Sequence, residues 1–133
     1  MKMQGTVKYF NKTKGWGFIT SDNDSKDYFV HQTSIQMKGF RYLDENDIVD
    51  FEVTTVKNGR EQAVNVKPVL TMQMIKDALR KEDLYVSTFK DAYGVTMYRV
   101  FDANHVIQTS EQGLPFLELA AFTGFSISEE ESA

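Results

Sequence analysis

Five short segments in the first half of the chain alternate apolar and polar residues, as strands with one buried face do. In residues 48–56, valine and phenylalanine alternate with aspartate, glutamate and threonine, which predicts a strand with a single apolar face. Asn58 and Gly59 follow where a tight hairpin turn is expected. The pattern predicts strands over residues 5–11, 15–21, 26–31, 48–56 and 62–68.

The second half of the chain has a different order of elements. Apolar residues at helical spacing predict a helix that Thr71 caps and that runs to about residue 83. Strands are predicted next, and then a helix opened by Pro115 and ended by Gly124. The order helix, three strands, helix predicts a small α+β domain over residues 70–126, with the strands at residues 84–90, 95–101 and 105–110 and the last helix at residues 116–122. Residues 127–133, with three consecutive glutamates, are expected to be a disordered tail.

Aromatic side chains recur at every second residue in two neighbouring predicted strands. Because residues two apart share a strand face, Trp16 and Phe18 point the same way. If the strands pair, Phe29 and His31 join them in one continuous surface, called the aromatic platform below. The opposite face also carries a ring, at Tyr28, so one of the two sets is expected to be exposed. Exposed rings beside cations suit unpaired bases, since every base has a flat face.

The alternative interpretation is that these rings belong to the core, because apolar periodicity is first of all a folding signal. Two features favour exposure. Gly15 and Gly17 leave the other face of their strand thin, which suits a close approach of backbones. Lys14 and His31 share rows with the rings, and a lone cation within a core is costly.

Three segments resemble the cold-shock domain family in order and spacing, including both of its ribonucleoprotein-like motifs. They are Gly-Thr-Val-Lys-Tyr-Phe-Asn (residues 5–11), Lys-Gly-Trp-Gly-Phe-Ile-Thr (14–20) and Asp-Tyr-Phe-Val-His (27–31). The resemblance runs from about residue 3 to residue 69. It implies a β-barrel of five strands, of the OB-fold type, that binds single-stranded RNA and DNA. By position it implies nucleic-acid contacts from Lys8, Tyr9, Phe10, Asn11, Lys14, Trp16, Phe18, Asp27, Phe29, His31 and Phe40.

The chain departs from the family's usual pattern at three of these positions or beside them. Tyr9 stands where tryptophan is usual and Trp16 where phenylalanine is common, so the stacking surface is redistributed. Gln32 stands where the family usually has another phenylalanine. The missing ring removes about 1–3 kcal/mol of stacking, unless Gln32 hydrogen-bonds a base instead. Exposure of both Lys8 and Tyr9 requires a bulge or an edge in the first strand.

The net charge of −4 hides an asymmetry between the two halves. Residues 1–69 contain ten lysines and arginines against nine acidic residues, whereas residues 70–133 contain five against ten. A nearly neutral first half is compatible with nucleic-acid binding, because the local arrangement of charges decides it. We expect modest affinity. Lys57, Arg60 and Lys67 are equally consistent with phosphate contacts and with plain solvated charge.

Composition argues against several other functions. The chain has no cysteine and only two histidines, far apart in sequence, so neither thiolate chemistry nor a zinc site is indicated. The acidic cluster at residues 44–47 is interpreted as a solvated turn rather than as a catalytic or metal site. No apolar run is long enough to span a membrane and no signal segment is visible, so a cytoplasmic location is expected. We expect no enzyme activity, no cofactor and no metal.

The sequence therefore predicts a binding protein for single-stranded RNA or DNA with low sequence specificity, built as a barrel over residues 1–69 and an acidic domain over residues 70–126. The resemblance implies an RNA chaperone or a regulator of transcription or translation. The alternative is a protein-interaction or oligomerisation module, in which the acidic domain binds a protein partner or a second copy. The element order of that domain matches the double-stranded-RNA-binding domain, but residues 111–122 contain no lysine or arginine to hold phosphates.

Overall fold

The computed structural model describes residues 2–39 and 41–125. The chain divides into two compact units, residues 1–72 and residues 73–133. The domain boundary after residue 69 stays a prediction, and the tail expected at residues 127–133 lies outside the described residues.

The first unit is a closed barrel of five strands, as the sequence predicted. The strands follow one another around the barrel in the order β1, β2, β3, β5, β4. Every pairing is antiparallel except that of β3 with β5, which is parallel. The strands are β1 (Lys2–Asn11), β2 (Trp16–Ser21), β3 (Asp27–His31), β4 (Ile48–Thr55) and β5 (Glu61–Leu70).

The barrel core is made by the inward face of each strand. Ile19 and Val30 are fully buried, and Tyr28 packs on Phe51 with ring centroids 5.8 Å apart. The platform rings lie on the opposite face of β2 and β3 and are only partly buried. The exposed set of rings is therefore the platform, and the core interpretation applies to Tyr28. The whole core cluster is Val7, Ile19, Tyr28, Val30, Ile35, Leu43, Val49, Phe51, Ala63 and Val66.

Two helices and a two-stranded sheet follow the barrel. They are α1 (Met72–Lys81), β6 (Tyr85–Lys90), β7 (Thr96–Phe101) and α2 (Phe116–Phe122). Gly124 ends α2 with φ at 93°, as expected. None of the helices in residues 2–39 and 41–125 is both long enough and apolar enough to cross a membrane. The eight exposed large apolar side chains of the described part include seven in the second unit, which suits the interaction alternative; the role of this unit stays a prediction.

The third strand predicted at residues 105–110 is wrong. Asp102 Oδ1 accepts hydrogen bonds from the backbone N–H groups of Asn104 and Val106, each at 2.9 Å, and His105 has φ at 63°. This aspartate-closed turn bends the chain where an extended strand was expected. Within the described part, β7 is paired on that side through isolated bridges at Ile107 and Leu114.

Asp47 is buried, with 2% of its surface exposed, and the expectation of a solvated turn is wrong for this residue. Its Oδ2 accepts a hydrogen bond from Asp44 N at 2.9 Å, and its Oδ1 accepts one from Met72 N at 2.7 Å. Its backbone oxygen accepts a hydrogen bond from Val7 N at 2.8 Å. Burial raises the pKa of Asp47 to about 7, against the opposing effect of the two backbone donors. The carboxyl group thus joins the loop before β4 to Met72, and the backbone of the same residue holds β1.

Asp47 is expected to make the stability of the barrel depend on pH. Its pKa rises from 3.8 to about 7 on folding, so the folded state holds an extra proton between these values. The contribution of this proton to the free energy of unfolding is complete below about pH 4 and is lost as the pH rises through 7. Between about pH 5 and about pH 8, urea unfolding followed by Trp16 fluorescence should show a loss on the order of 3 kcal/mol.

Asp47→Asn cannot titrate and should lack this fall. Glu45→Gln, an exposed change in the same loop, should keep most of it. If wild type and Asp47→Asn lost stability equally over this pH range, the role assigned to Asp47 would be refuted.

Candidate nucleic-acid interface

The pairing of β2 with β3 brings the four platform side chains together. Trp16 lies opposite His31 and Phe18 lies opposite Phe29 in the antiparallel register. Residues opposite one another share a face of the sheet, so all four project from the outside of the barrel. Each is partly exposed. The arrangement expected from the two-residue periodicity is thus present.

The rings hold one another in place. Trp16 and Phe29 are nearly parallel, at 24°, with centroids 6.1 Å apart. Phe18 meets both edge-on, at 5.9 Å from Trp16 and 6.0 Å from Phe29. Such edge-to-face contacts are favourable geometries for aromatic pairs. The platform is therefore formed before any ligand arrives.

A bulge in β1 adds two residues to this surface. The register with β2 shifts between Val7 and Tyr9, and as a result Lys8 and Tyr9 are both exposed. Of the two arrangements expected from the sequence, a bulge or a strand edge, the structure has the bulge. Tyr9 lies opposite Phe18, is 47% exposed and meets the ring of Trp16 at a centroid distance of 5.9 Å. It extends the platform along β1.

Three predicted site residues lie outside the row of platform rings. Phe10 lies opposite Gly17, is partly buried and packs against the barrel core. Asn11 Oδ1 accepts a hydrogen bond from Lys14 N at 2.8 Å in the turn between β1 and β2, and Lys14 is exposed in that turn rather than in the ring row. Their nucleic-acid contacts stay predictions. Phe40 lies outside the described residues.

Asp27 organises the charge beside the rings. Its Oδ2 accepts a hydrogen bond from Lys8 Nζ and its Oδ1 accepts one from Thr20 Oγ1, both at 2.7 Å. The bond from Lys8 and then the bond from Thr20 hold the pKa of Asp27 below its ordinary value. Asp27 is thus a charged acceptor at neutral pH, and Lys8 is kept at the edge of the platform.

His31 is oriented by its neighbour Thr33. Its Nδ1 accepts a hydrogen bond from Thr33 N at 3.2 Å and lies 2.9 Å from Thr33 Oγ1. The neutral ring therefore carries its proton on Nε2. This contact fixes the plane that His31 offers at the end of the platform.

Arg60 belongs to this surface although the sequence analysis did not include it among the site residues. Its guanidinium carbon lies 5.0 Å from the ring centroid of Phe29, a distance suited to a cation–π contact. The parallel pairing of Phe29 with Gln62 brings the start of β5 to this position. No local pattern signals a pairing between strands so far apart in sequence. In the sequence, Arg60 was distinguished as a possible phosphate contact only by its charge and by its position after the Asn58-Gly59 turn.

Gly17 allows β1 and β2 to approach closely beneath the rings. A Cβ at this position would lie 2.7 Å from Phe10 Cα and closer still to the carbonyl oxygen of Tyr9. Both are backbone atoms that cannot move aside alone. The close approach expected from the glycines is confirmed at Gly17.

Metal-binding geometry does not accompany these residues: in the part of the chain that the structure describes, histidines and carboxylates form no group of three or more suited to a metal ion.

Comparisons with known proteins assign the barrel sequence to one family. The model of the "cold-shock" DNA-binding domain matches residues 3–69. Cold shock protein CspV of Vibrio cholerae is 54% identical over 65 residues, which are 49% of this chain and 91% of CspV. Cold shock-like protein CspE of Escherichia coli is 48% identical over 62 residues, which are 47% of this chain and 90% of CspE. Glycine-rich protein 2 of Nicotiana sylvestris is 49% identical over 65 residues, or 49% of this chain, but the match spans only 30% of that protein.

Gly17→Ala is expected to destabilise the barrel by about 3 kcal/mol or more, because overpacking against rigid backbone is costly. The control is Gly59→Ala. Gly59 has φ at 81° and open space around it, so that change carries only the strain of a left-handed backbone, about 1–2 kcal/mol. Urea unfolding followed by Trp16 fluorescence measures both. Equal losses of unfolding free energy in the two variants would show that the close approach at Gly17 does not contribute to stability.

Proposed function

Because the chain belongs to the cold-shock domain family over residues 3–69, we propose that its barrel binds single-stranded RNA and DNA on the aromatic platform. The observation that carries this proposal is a set of three mutually contacting rings, Trp16, Phe18 and Phe29, on the outside of a closed barrel. His31, opposite Trp16 in the register, continues this surface. Apolar rings on an outer face cost solvation unless a ligand covers them. Unpaired bases are suitable ligands, since each gains about 1–3 kcal/mol by stacking on a ring.

The contacts around the platform suggest how each part of a strand is held. Bases lie on the rings, which accept any base because stacking needs only a flat face. Lys8 and Arg60 stand at the edges of the platform and supply positive charge to the phosphates. Asp27, charged and acceptor-only, accepts hydrogen bonds from base N–H groups on the side where Lys8 stands.

Such binding melts RNA structure without an energy source. A ligand that binds only the unpaired form shifts the folding equilibrium of an RNA hairpin towards that form by mass action. Weak contacts with little sequence preference then act on many transcripts. We therefore propose an RNA chaperone or a regulator of transcription or translation; the activity is binding, with no bond made or broken.

Replacing Phe18 and Phe29 together by alanine should weaken binding to heptauridylate or heptathymidylate by roughly 30-fold or more, since two stacking surfaces are lost. Binding is measured by the fluorescence anisotropy of labelled strands with the full chain, and quenching of Trp16 reports the same event in wild type. Circular dichroism checks that the double variant still folds.

Tyr93→Ala is the matched control, because Tyr93 is an aromatic residue that is 91% exposed in the second unit. This variant should bind as wild type does. A folded Phe18→Ala, Phe29→Ala variant with unchanged affinity would rule out the stacking mechanism.

Binding should also depend only weakly on salt. Three barrel lysines are already paired with carboxylates: Lys8 with Asp27 at 2.7 Å, Lys12 with Asp44 at 2.6 Å and Lys2 with Asp50 at 3.5 Å. Residues 1–69 are also nearly neutral as a whole, with ten lysines and arginines against nine acidic residues, so the net attraction to phosphates is small. We expect about two to four phosphate contacts, each adding about 0.7 to the slope of log affinity against log salt.

Lys8→Gln should make that slope shallower by about 0.7. A wild-type slope steeper than about −5 would contradict the small number of phosphate contacts.

A further inference from the structure

Gln32 lies at one end of the strand pair that carries the aromatic platform. Gln32 directly follows His31, which pairs with Trp16, and it begins a short 3₁₀ turn, Gln32–Ser34. Its backbone N–H donates to Gly15 O at 2.8 Å, which ties it to the residue before Trp16. Gln32 is therefore the neighbour of both members of the last pair in the ring surface.

Gly15 holds the amide of Gln32 in place. A Cβ at position 15 would lie 2.6 Å from both Cδ and Oε1 of Gln32, so the amide rests directly on the glycine backbone. Gly15 has φ at 79° and is itself buried. The amide of this partly buried side chain is thus positioned before binding rather than free to sweep through solvent.

The hydrogen-bonding capacity of this amide is unused. Across residues 2–39 and 41–125, no donor or acceptor pairs with the Gln32 side chain, and no side-chain nitrogen or oxygen atom is buried without a partner. Both amide atoms therefore reach solvent. Asn11, which lies opposite Trp16 on β1, and His31, a member of the platform, each use a side-chain atom in a local hydrogen bond.

We propose that the Gln32 amide hydrogen-bonds the edge of the base that stacks on Trp16 and His31, and so gives the platform a base preference. The proposal rests on the proposed function. Stacking alone tolerates every base, whereas an amide offers an N–H group beside a carbonyl and discriminates between base edges. Adenine is the expected choice, because on its major-groove edge the N6 amino group lies beside the N7 acceptor. Glutamine binds this pair through two hydrogen bonds, and no other base offers a donor beside an acceptor on that edge.

At position 32 this chain has a hydrogen-bonding side chain where the family usually has a stacking ring. A phenylalanine, which is usual here in the family that the sequence resembles, adds stacking surface and little selectivity. Glutamine lacks that stacking surface but can hydrogen-bond the edge of a base. Gln32→Phe and Gln32→Ala thus separate the two contributions, because the first returns the ring and the second removes both contacts.

The test compares the full chain with Gln32→Ala, Gln32→Phe and Gln36→Ala, using labelled heptamers of deoxyadenosine, deoxycytidine and thymidine. We expect the preference for deoxyadenosine over thymidine to fall roughly fivefold or more in both Gln32 variants. Gln32→Phe should also bind the thymidine heptamer roughly fivefold more tightly than wild type does. Gln36, an exposed glutamine of the same barrel, is the matched control and should leave the preference unchanged.

A structural role of Gln32 in covering Gly15 predicts a different result. Unfolding midpoints would then fall in Gln32→Ala, and all three affinities would change by one common factor or not at all. Unchanged base preferences in both Gln32 variants overturn this inference and leave the proposed function intact. A wild-type chain that binds none of the three heptamers overturns the proposed function, and this inference with it.

Discussion

The close approach of β1 and β2 at Gly17 is the constraint on which the aromatic surface depends. No Cβ fits between the two backbones there, so Phe10 can cover the inner side of β2. The bulge after Val7 then turns Tyr9 outwards, where it meets Trp16. A larger residue at position 17 separates the strands and breaks this row of rings. The absence of a side chain inside the barrel thus determines how the side chains outside it are arranged.

The fold was predictable where its signal is local. Alternation in β2 and β3 identified the strands and their two faces. The exposure of Lys8 and Tyr9 that the resemblance implies required a bulge or a strand edge, and the structure has the bulge. The errors arose where distant or turn-forming groups decide the structure. Asp47 was expected in solvent because acidic residues surround it. It is buried instead, and its carboxylate accepts a hydrogen bond from the backbone N–H of Met72, 25 residues away. The strand expected at residues 105–110 gave way to the turn that Asp102 closes.

The site was predictable to the same extent. The rings of β2 and β3 follow from a two-residue period, so their assembly into one surface could be foreseen. Arg60 could not, because only the parallel pairing of β3 with β5 brings it to Phe29. Phe10 was grouped with the other rings by resemblance, but the bulge reverses the alternation of β1 and turns it towards the core. Registers between strands distant in sequence depend on the whole barrel and leave no trace in either segment alone.

The ion pair between Lys8 and Asp27 has a consequence for how long a strand stays bound. Asp27 is a tethered anion that is always within reach of Lys8, at 2.7 Å in the free protein. Under the proposed function, a phosphate that reaches Lys8 must displace this carboxylate. When the phosphate dissociates, the carboxylate binds the ammonium group again. This internal competition shortens the time for which a phosphate stays on Lys8. Under the same proposal, a bound strand is released quickly and is free to form its own base pairs again.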